Sequence, residues 1–305
     1  MIGSHFCDRT GRVFTCWDQV AAATGRITSV SPNIQAIPKG DLTIGQLTVN
    51  LRSPFKPASG YTFLAADFEQ IEFRIFGQLS QDCNIMDAIR DCREGSDIFR
   101  NLASTWLDRP LEQVQEEDRD KTKRLVYALM YAAGKHRVSE ILGITAPQAA
   151  TLISSFYSKF SSLKTFSQRV IGMAERNGFL ASLLGRRRYF PTICSTNPGV
   201  KAQAQRQAFN FLIQGSAADI AKTGLIRVEE NLAAEQIDSN LVMLIHDEMV
   251  WEVREDSLLA AASIVKSSLE SFKEVHGADG QGRTMEMKVK LFAGKSWGKL
   301  LQLNL

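Results

Sequence analysis

The chain has 305 residues, 44% of them hydrophobic and 23% charged, and a net charge of only +3, so it can bury one large or several smaller cores and its overall charge selects no partner. No run of 18 or more apolar residues occurs, which excludes a transmembrane helix, and no basic segment leads into an apolar stretch at the N-terminus. Cys7, Cys16, Cys83, Cys92 and Cys194 are scattered, odd in number and form no CxxC pair, which argues against a disulfide framework or zinc site and for reduced thiols inside a cell.

Residues 38–60 carry Gly, Pro, Ser and Thr and read as a long connection with room for one short strand. Residues 61–66 are apolar and β-prone, a buried strand that runs straight into Asp67. From 82 to 179 the pattern is mainly helical, with Asp97 as the N-cap of a helix through Trp106, a second helix over about 117–132, and Pro147 early in a third. Residues 185–191 read as a turn or loop, and 200–231 as one long helix. Residues 241–245 and 249–253 form a hairpin that turns at His246, Asp247 and Glu248. A helix over 257–274 and a final alternating strand over 286–292 close the chain. Strands at both ends with helices between them predict an α+β fold, an antiparallel sheet carrying a helical insertion.

Asp67 ends one apolar strand, and Asp247 and Glu248 follow another. Strand ends hold charged groups at fixed geometry, and hard divalent ions are held by one or two carboxylates together with substrate phosphates. If the sheet joins Asp67 to Asp247, the pair suits two ions set ~4 Å apart on an in-line displacement; if not, they are two unrelated turn aspartates.

Arg119, Lys123, Tyr127 and Tyr131 recur every fourth residue and share one helix face. Two cations followed by two rings make a poor core, because Arg and Lys are rarely buried unpaired. The row suits a nucleoside triphosphate, with the cations on phosphate and the rings on sugar and base. Gln203, Arg206, Gln207, Asn210 and Gln214 form a polar stripe on a later helix, able to donate to the minor-groove acceptors that every base pair presents. Basic clusters at 119–124, 186–188 and 201–206 add phosphate-binding potential.

In four ordered segments the chain resembles the family A DNA polymerases. Thr24, Gly25 and Arg26 with Pro32, Asn33 and Gln35 are similar to the family's primer-template contact region, and residues 67–74 to its first catalytic motif. The Arg119 to Tyr131 row is similar to its nucleotide-binding finger helix, and residues 245–248 to its second catalytic motif. Residues 185–188 and 214–219 also match, and residues 64–68, 112–114, 123–129 and 204–208 look most like the vertebrate nu branch, with theta next.

The resemblance implies a palm of antiparallel sheet at 1–78 and 196–305 with helical fingers at 79–195, and no thumb or exonuclease-like domain. It implies that Asp67 and Asp247, helped by the backbone carbonyl of Phe68, hold two Mg²⁺ ions, with Mn²⁺ as a possible substitute, and that Glu248 supports them. Glu72 would be the steric gate against a ribose 2′-hydroxyl, packing with Tyr131. Arg119 and Lys123 would bind the triphosphate and Tyr127 would stack on the incoming nucleotide. Arg26, Asn33, Gln35, Arg206, Asn210, Gln214 and His246 would touch primer or template. The implied partners are primer-template DNA and deoxynucleoside triphosphates, with no membrane, in a nuclear setting of repair or translesion synthesis.

The departures are local. Phe68 and Glu69 replace the family's Tyr-Ser, which adds a negative charge near the metals. Ala128 and Ala132 replace glycines and are expected to stiffen the finger helix, and Phe99 replaces a bacterial histidine and its phosphate contact. Arg124 adds a third cation, expected to attract the template. A rival reading keeps the fold without the chemistry, as a catalytically inactive nucleic-acid- or protein-binding fragment.

Overall fold

Tyr61–Phe68 opens with aromatic and β-branched residues and contains no Gly or Pro, and it forms β1 of a computed structural model that describes residues 6–7, 10–92, 97–272, 274–276, 282–284 and 286–305. It shares a sheet with β2 (Ser239–Ile245), β3 (Glu248–Arg254), β4 (Val289–Gly294) and β5 (Leu301–Leu303). They make a five-stranded antiparallel sheet in the order β2-β3-β1-β4-β5, so β1 is central. Leu64, Ala65 and Ala66 are buried on both faces, as a central strand requires.

One face of the sheet closes on a core of Ile34, Ile37, Phe63, Ala65, Met243, Ile245, Val250 and Trp297. Side chains alternate along a strand, so Asp67 continues the row that Phe63 and Ala65 begin. The other face is covered by α9 (Leu258–Leu269), and Trp251 donates from that side to Glu229 at 2.7 Å. This unit comprises Met1–Ile71, Ala218–Lys273 and Glu286–Leu305.

The second unit, Glu72–Ala217 and Glu274–Met285, is helical. It holds α1 (Ile71–Ser80), α2 (Cys83–Arg90), α3 (Ile98–Leu107), α4 (Glu116–Met130), α5 (Lys135–Leu142), α6 (Ala146–Lys159) and α7 (Ser162–Asn177). The long α8 (Pro198–Ala234) contributes its first part here and its second part to the sheet unit. Asp97 caps α3 by accepting from the Phe99 and Arg100 amides. Thr145 caps α6 in a reciprocal pair with Gln148, with Pro147 in the first turn. Phe76, Phe166 and Phe209 pack edge to face at the centre of this unit. All five cysteines are thiols, and no helix among the described residues is long and apolar enough to cross a membrane.

Several expected boundaries move. The compact units divide after Ile71 and after Ala217. Residues 185–191 are not all loop: Arg187–Tyr189 pairs with Phe179–Ala181. The helix expected to reach 274 stops at Leu269, where the chain bends to bury Phe272 under the Arg227 guanidinium, 4.4 Å from the ring. The strand expected over 286–292 begins at Val289 and is not the last, since β5 follows it.

The finger helix ends at Met130, and this changes the meaning of one alanine. Ala133 N–H donates to the Ala128 carbonyl and Ala132 N–H to the Leu129 carbonyl, each at 2.9 Å, the paired bonds of a Schellman cap. Ala132 occupies the left-handed position with φ of 51°, where glycine is the unstrained residue. Ala128 lies inside the helix and is buried, so only there does alanine support the helix as expected. Ala132→Gly should therefore raise stability by about 1 kcal/mol, while Ala128→Gly should lower it by about 1 kcal/mol. Urea midpoints of the two variants test this, and a fall at Ala132 would show that the cap is not left-handed in solution.

Candidate functional site

The hairpin register assembles the carboxylates. Glu248 lies directly opposite Asp67 in the β3–β1 ladder, and Ile245 pairs with Glu248, leaving His246 and Asp247 as the two-residue turn. The Phe68 amide then donates to the Asp247 carbonyl at 3.4 Å, which ties the turn to the end of β1. His246 carries a φ of 55°, strained for a residue with a side chain, and its ring is exposed. Asp67 thus meets Asp247 and Glu248, remote from it in sequence, at one end of the sheet.

This cluster is electrostatically uneasy. Burial, then the facing Glu248 and more weakly Asp247, push the Asp67 carboxyl up to about 6, although Lys39 and Lys290 oppose the rise. Cations surround the other carboxylates. Arg26 Nη2 donates to Asp247 Oδ1 at 3.2 Å, and Lys39 and Arg52 each stand 4.0 Å from Glu248. Trp297 donates to Glu248 at 3.3 Å while Arg52 lies over its ring at 4.1 Å. Lys290, opposite Asp67 on β4, stands 3.9 Å from Glu69, so the added negative charge has a local partner. Lys39, Arg52, Lys290 and Trp297 were not foreseen from the sequence. Only strand register could have flagged Lys290, and nothing local flags Arg52.

Of the expected primer and template contacts in this unit, Arg26 and His246 flank Asp247 along one small cavity. Asn33 and Gln35 make bonds within the fold. Asn33 Oδ1 accepts from the Ala36 amide and the Ser29 hydroxyl. Gln35 donates to the Ile27 and Leu244 carbonyls at 3.0 and 2.9 Å, stapling that segment to β2.

In the helical unit the α4 row holds together. Tyr131 caps the helix rather than lying within it, and its hydroxyl donates to buried Glu72 at 2.7 Å. Tyr127 packs between Phe99 and Tyr131, with centroids 5.8 and 6.3 Å away. Phe99 replaces the lost polar contact with a platform, and the Lys123 ammonium lies 5.7 Å from its ring. Arg119 donates to Asp97 through Nε and Nη2 at 3.1 and 2.8 Å, which raises its own pKa. Burial works against Asp97 ionising, but Arg119 and the Phe99 amide outweigh it and hold the carboxyl below the usual range. Lys123, Arg124, Tyr127 and Tyr131 line a cleft of about 420 Å³ with Asp120 and Ile141.

On α8, Arg206 is exposed, and Asn210 and Gln214 are partly buried and 3.4 Å apart, Asn210 donating. The small residues after Gln214 pack closely, as expected: a Cβ on Gly215 would sit 2.9 Å from the Phe211 ring, and Ser216 accepts from the Leu183 amide. Arg186 and Arg188 lie over Phe211 at 5.2 and 5.8 Å, so part of the 186–188 cluster is stacked on rings.

The family model described as DNA polymerase family A matches residues 2–299. DNA polymerase theta of Drosophila melanogaster is 32% identical over 92% of this chain and 14% of its own length. The thermostable DNA polymerase I of Thermus filiformis is 32% identical over 95% of this chain and 33% of its own length. The chain therefore spans a third or less of these curated relatives. Among solved structures, the POL domain of Pol1 from M. smegmatis, in complex with DNA primer-template and dNTP, superposes with a TM-score of 0.85 at 29% identity, covering 97% of this chain and 50% of that one.

The raised Asp67 pKa fixes the sign of a pH effect. Between the ordinary 3.8 and about 6 the folded protein binds more protons than the unfolded chain, so stability falls as pH rises through that window. In EDTA, Asp67→Asn should match the wild type near pH 4 and exceed it above pH 6, by at most on the order of 3 kcal/mol. Chemical denaturation across pH measures it, and equal pH profiles for the two proteins would refute the burial of that charge.

Proposed function

The chain belongs to DNA polymerase family A, and on that premise we propose that it adds deoxynucleotides to a primer 3′-hydroxyl under template direction. The observation that carries the reading is the meeting of Asp67 with Asp247 and Glu248 at the sheet end. The donor set fits divalent magnesium: oxygen ligands only, with mutual repulsion and burial that a bound cation would relieve. Among the described residues no three His, Cys, Asp or Glu side chains converge to hold a metal by themselves, which is compatible with a site completed by substrate phosphates. Asp67, Asp247 and the Phe68 carbonyl would hold the ions, with Glu248 beside them. Bound there, two Mg²⁺ or Mn²⁺ ions would supply Lewis acidity to the attacking and leaving oxygens.

The chain's own groups do the rest. Arg119 and Lys123 neutralise the triphosphate, and Tyr127 stacks on the nucleotide against its Phe99 support. The Glu72–Tyr131 pair fills the space of a 2′-hydroxyl and so selects deoxyribose. The new bond joins the primer 3′ oxygen to the α-phosphorus, the bond to pyrophosphate breaks, and the hydroxyl proton leaves to solvent. Catalysis of this kind is chiefly positioning and charge stabilisation.

Arg206, Asn210 and Gln214 contact the duplex minor groove, Arg26 and His246 the primer end, and Arg124 the template. Asn33 and Gln35 act there by shaping the loop. Asn210 Oδ1 is buried without a hydrogen-bond partner among the described residues, which a polar ligand would complete. The likeness to the nu and theta branches supports a setting in nuclear repair or translesion synthesis.

Single-nucleotide primer extension with Mg²⁺ or Mn²⁺ tests the proposal. Extension should fall by on the order of 10²–10³-fold or more in Asp247→Ala. Glu72→Ala should raise ribonucleotide use relative to deoxyribonucleotide use. Salt-sensitive DNA binding with no extension by the unaltered chain would favour a silent binding module instead.

A further inference from the structure

Arg119 opens the row read as a triphosphate site, yet three carboxylates already hold it. Its Nε and Nη2 edge donates to Oδ2 of Asp97, and its Nη1 end donates to Asp120 Oδ1 at 2.7 Å with Glu116 Oε1 at 3.3 Å. These two ends differ in how firmly they are held. The other oxygen of Asp97 accepts from the Phe99 and Arg100 amides at 2.8 and 3.2 Å, so that carboxylate is fixed by the cap of α3 and cannot withdraw without uncapping the helix. The side chains of Asp120 and Glu116 are 48% and 65% exposed and have solvent to move into. Asp120 also lines the cleft that Lys123, Arg124 and Tyr127 share.

We propose that Asp120 is a placeholder for phosphate: it occupies the outer end of Arg119 in the nucleotide-free state and yields it when a triphosphate enters, while Asp97 keeps the guanidinium aimed. The proposal rests on the reading of this row as a nucleotide site. A guanidinium offers its donors in a rigid fork, so a phosphate oxygen and the Asp120 carboxylate compete for the same Nη1 hydrogens. The carboxylate also sets a negative charge in the path of a polyanion. Asp120 is then a specificity-determining residue that weakens nucleotide capture, and Asp97 is a positioning residue that survives it. Lys123 and Tyr127 are held from Phe99, on the same first turn of α3, so the element that aims Arg119 also orders the rest of the row.

Calorimetric titration with dTTP and with inorganic tripolyphosphate tests the idea on the whole chain. Asp120→Asn should bind both probes about two- to fivefold more tightly than the wild type, the range of an exposed ion pair. Asp120→Ala should do the same if the asparagine amide keeps a contact. Glu117→Gln, an equal charge change on an exposed neighbour, should give less than half that gain. The decisive comparison is a double-mutant cycle. In an Arg119→Ala background, Asp120→Asn should give no more than the small gain of Glu117→Gln. A full gain that persists there, or a wild-type-background gain that only equals that of Glu117→Gln, would reduce Asp120 to general repulsion and overturn the placeholder. If instead Arg119→Ala binds both probes as well as the wild type, or no variant binds either, the nucleotide-site reading itself fails. In primer extension the same Asp120→Asn change should lower KM and leave kcat alone, a split that a merely structural effect on α4 would not give.

Discussion

Side chains alternate along a strand, so a slip of one residue between β1 and β3 would carry Asp67 to the face opposite Glu248 and dissolve the carboxylate cluster. What prevents the slip is the apolar row behind it. Phe63 and Ala65 on β1 and Val250 on β3 share the core with Ile34, Met243 and Trp297, and moving any of them to the other face would expose that core. Hydrophobic register thus sets the position of three charged groups. The same register brings Lys290 of β4 beside Asp67, so the sheet supplies the burial that chiefly raises the carboxyl, the repulsion that adds to it and a cation that moderates it.

A second theme is that the functional charges are nearly all engaged internally. Arg26 holds Asp247, Arg52 and Lys39 stand by Glu248, Lys290 stands by Glu69, and Arg119 is shared by Asp97, Asp120 and Glu116. Isolated carboxylates or guanidinium groups gathered for a highly charged ligand would repel one another, and in each unit opposite charges temper that repulsion. Binding then becomes an exchange of partners. The partners that must leave differ from those that stay in how they are anchored: Asp97 is pinned by a helix cap, Asp120 is not.

The local departures from the family pattern also change meaning in this setting. Glu69 gains Lys290 as a neighbour, so its charge does not fall unopposed on the Asp67, Asp247 and Glu248 carboxylates. Phe99 gives up a polar contact and becomes the platform beneath Lys123 and Tyr127. Ala132 carries strain at a helix cap instead of stiffening the helix, because α4 ends before it.

The sequence by itself determined the elements and the candidate residues of the site. Period-two and period-four patterns are written locally, so β1, the hairpin that turns at 246–248, the α4 row and the long α8 were all legible, as were the Asp97 cap and the place of Pro147 in the first turn of α6. The family motifs named Asp67, Asp247, Arg119 and Lys123. Tertiary structure alone decided what those groups touch. That Gln35 staples a loop to β2, that Arg52 and Trp297 flank Glu248, and that Asp97 and Asp120 divide Arg119 between them depend on pairs remote in sequence or on rotamers, and no local pattern encodes either. Helix ends moved for the same reason: α9 stops where burying Phe272 outweighs another turn, a choice made by packing rather than by propensity.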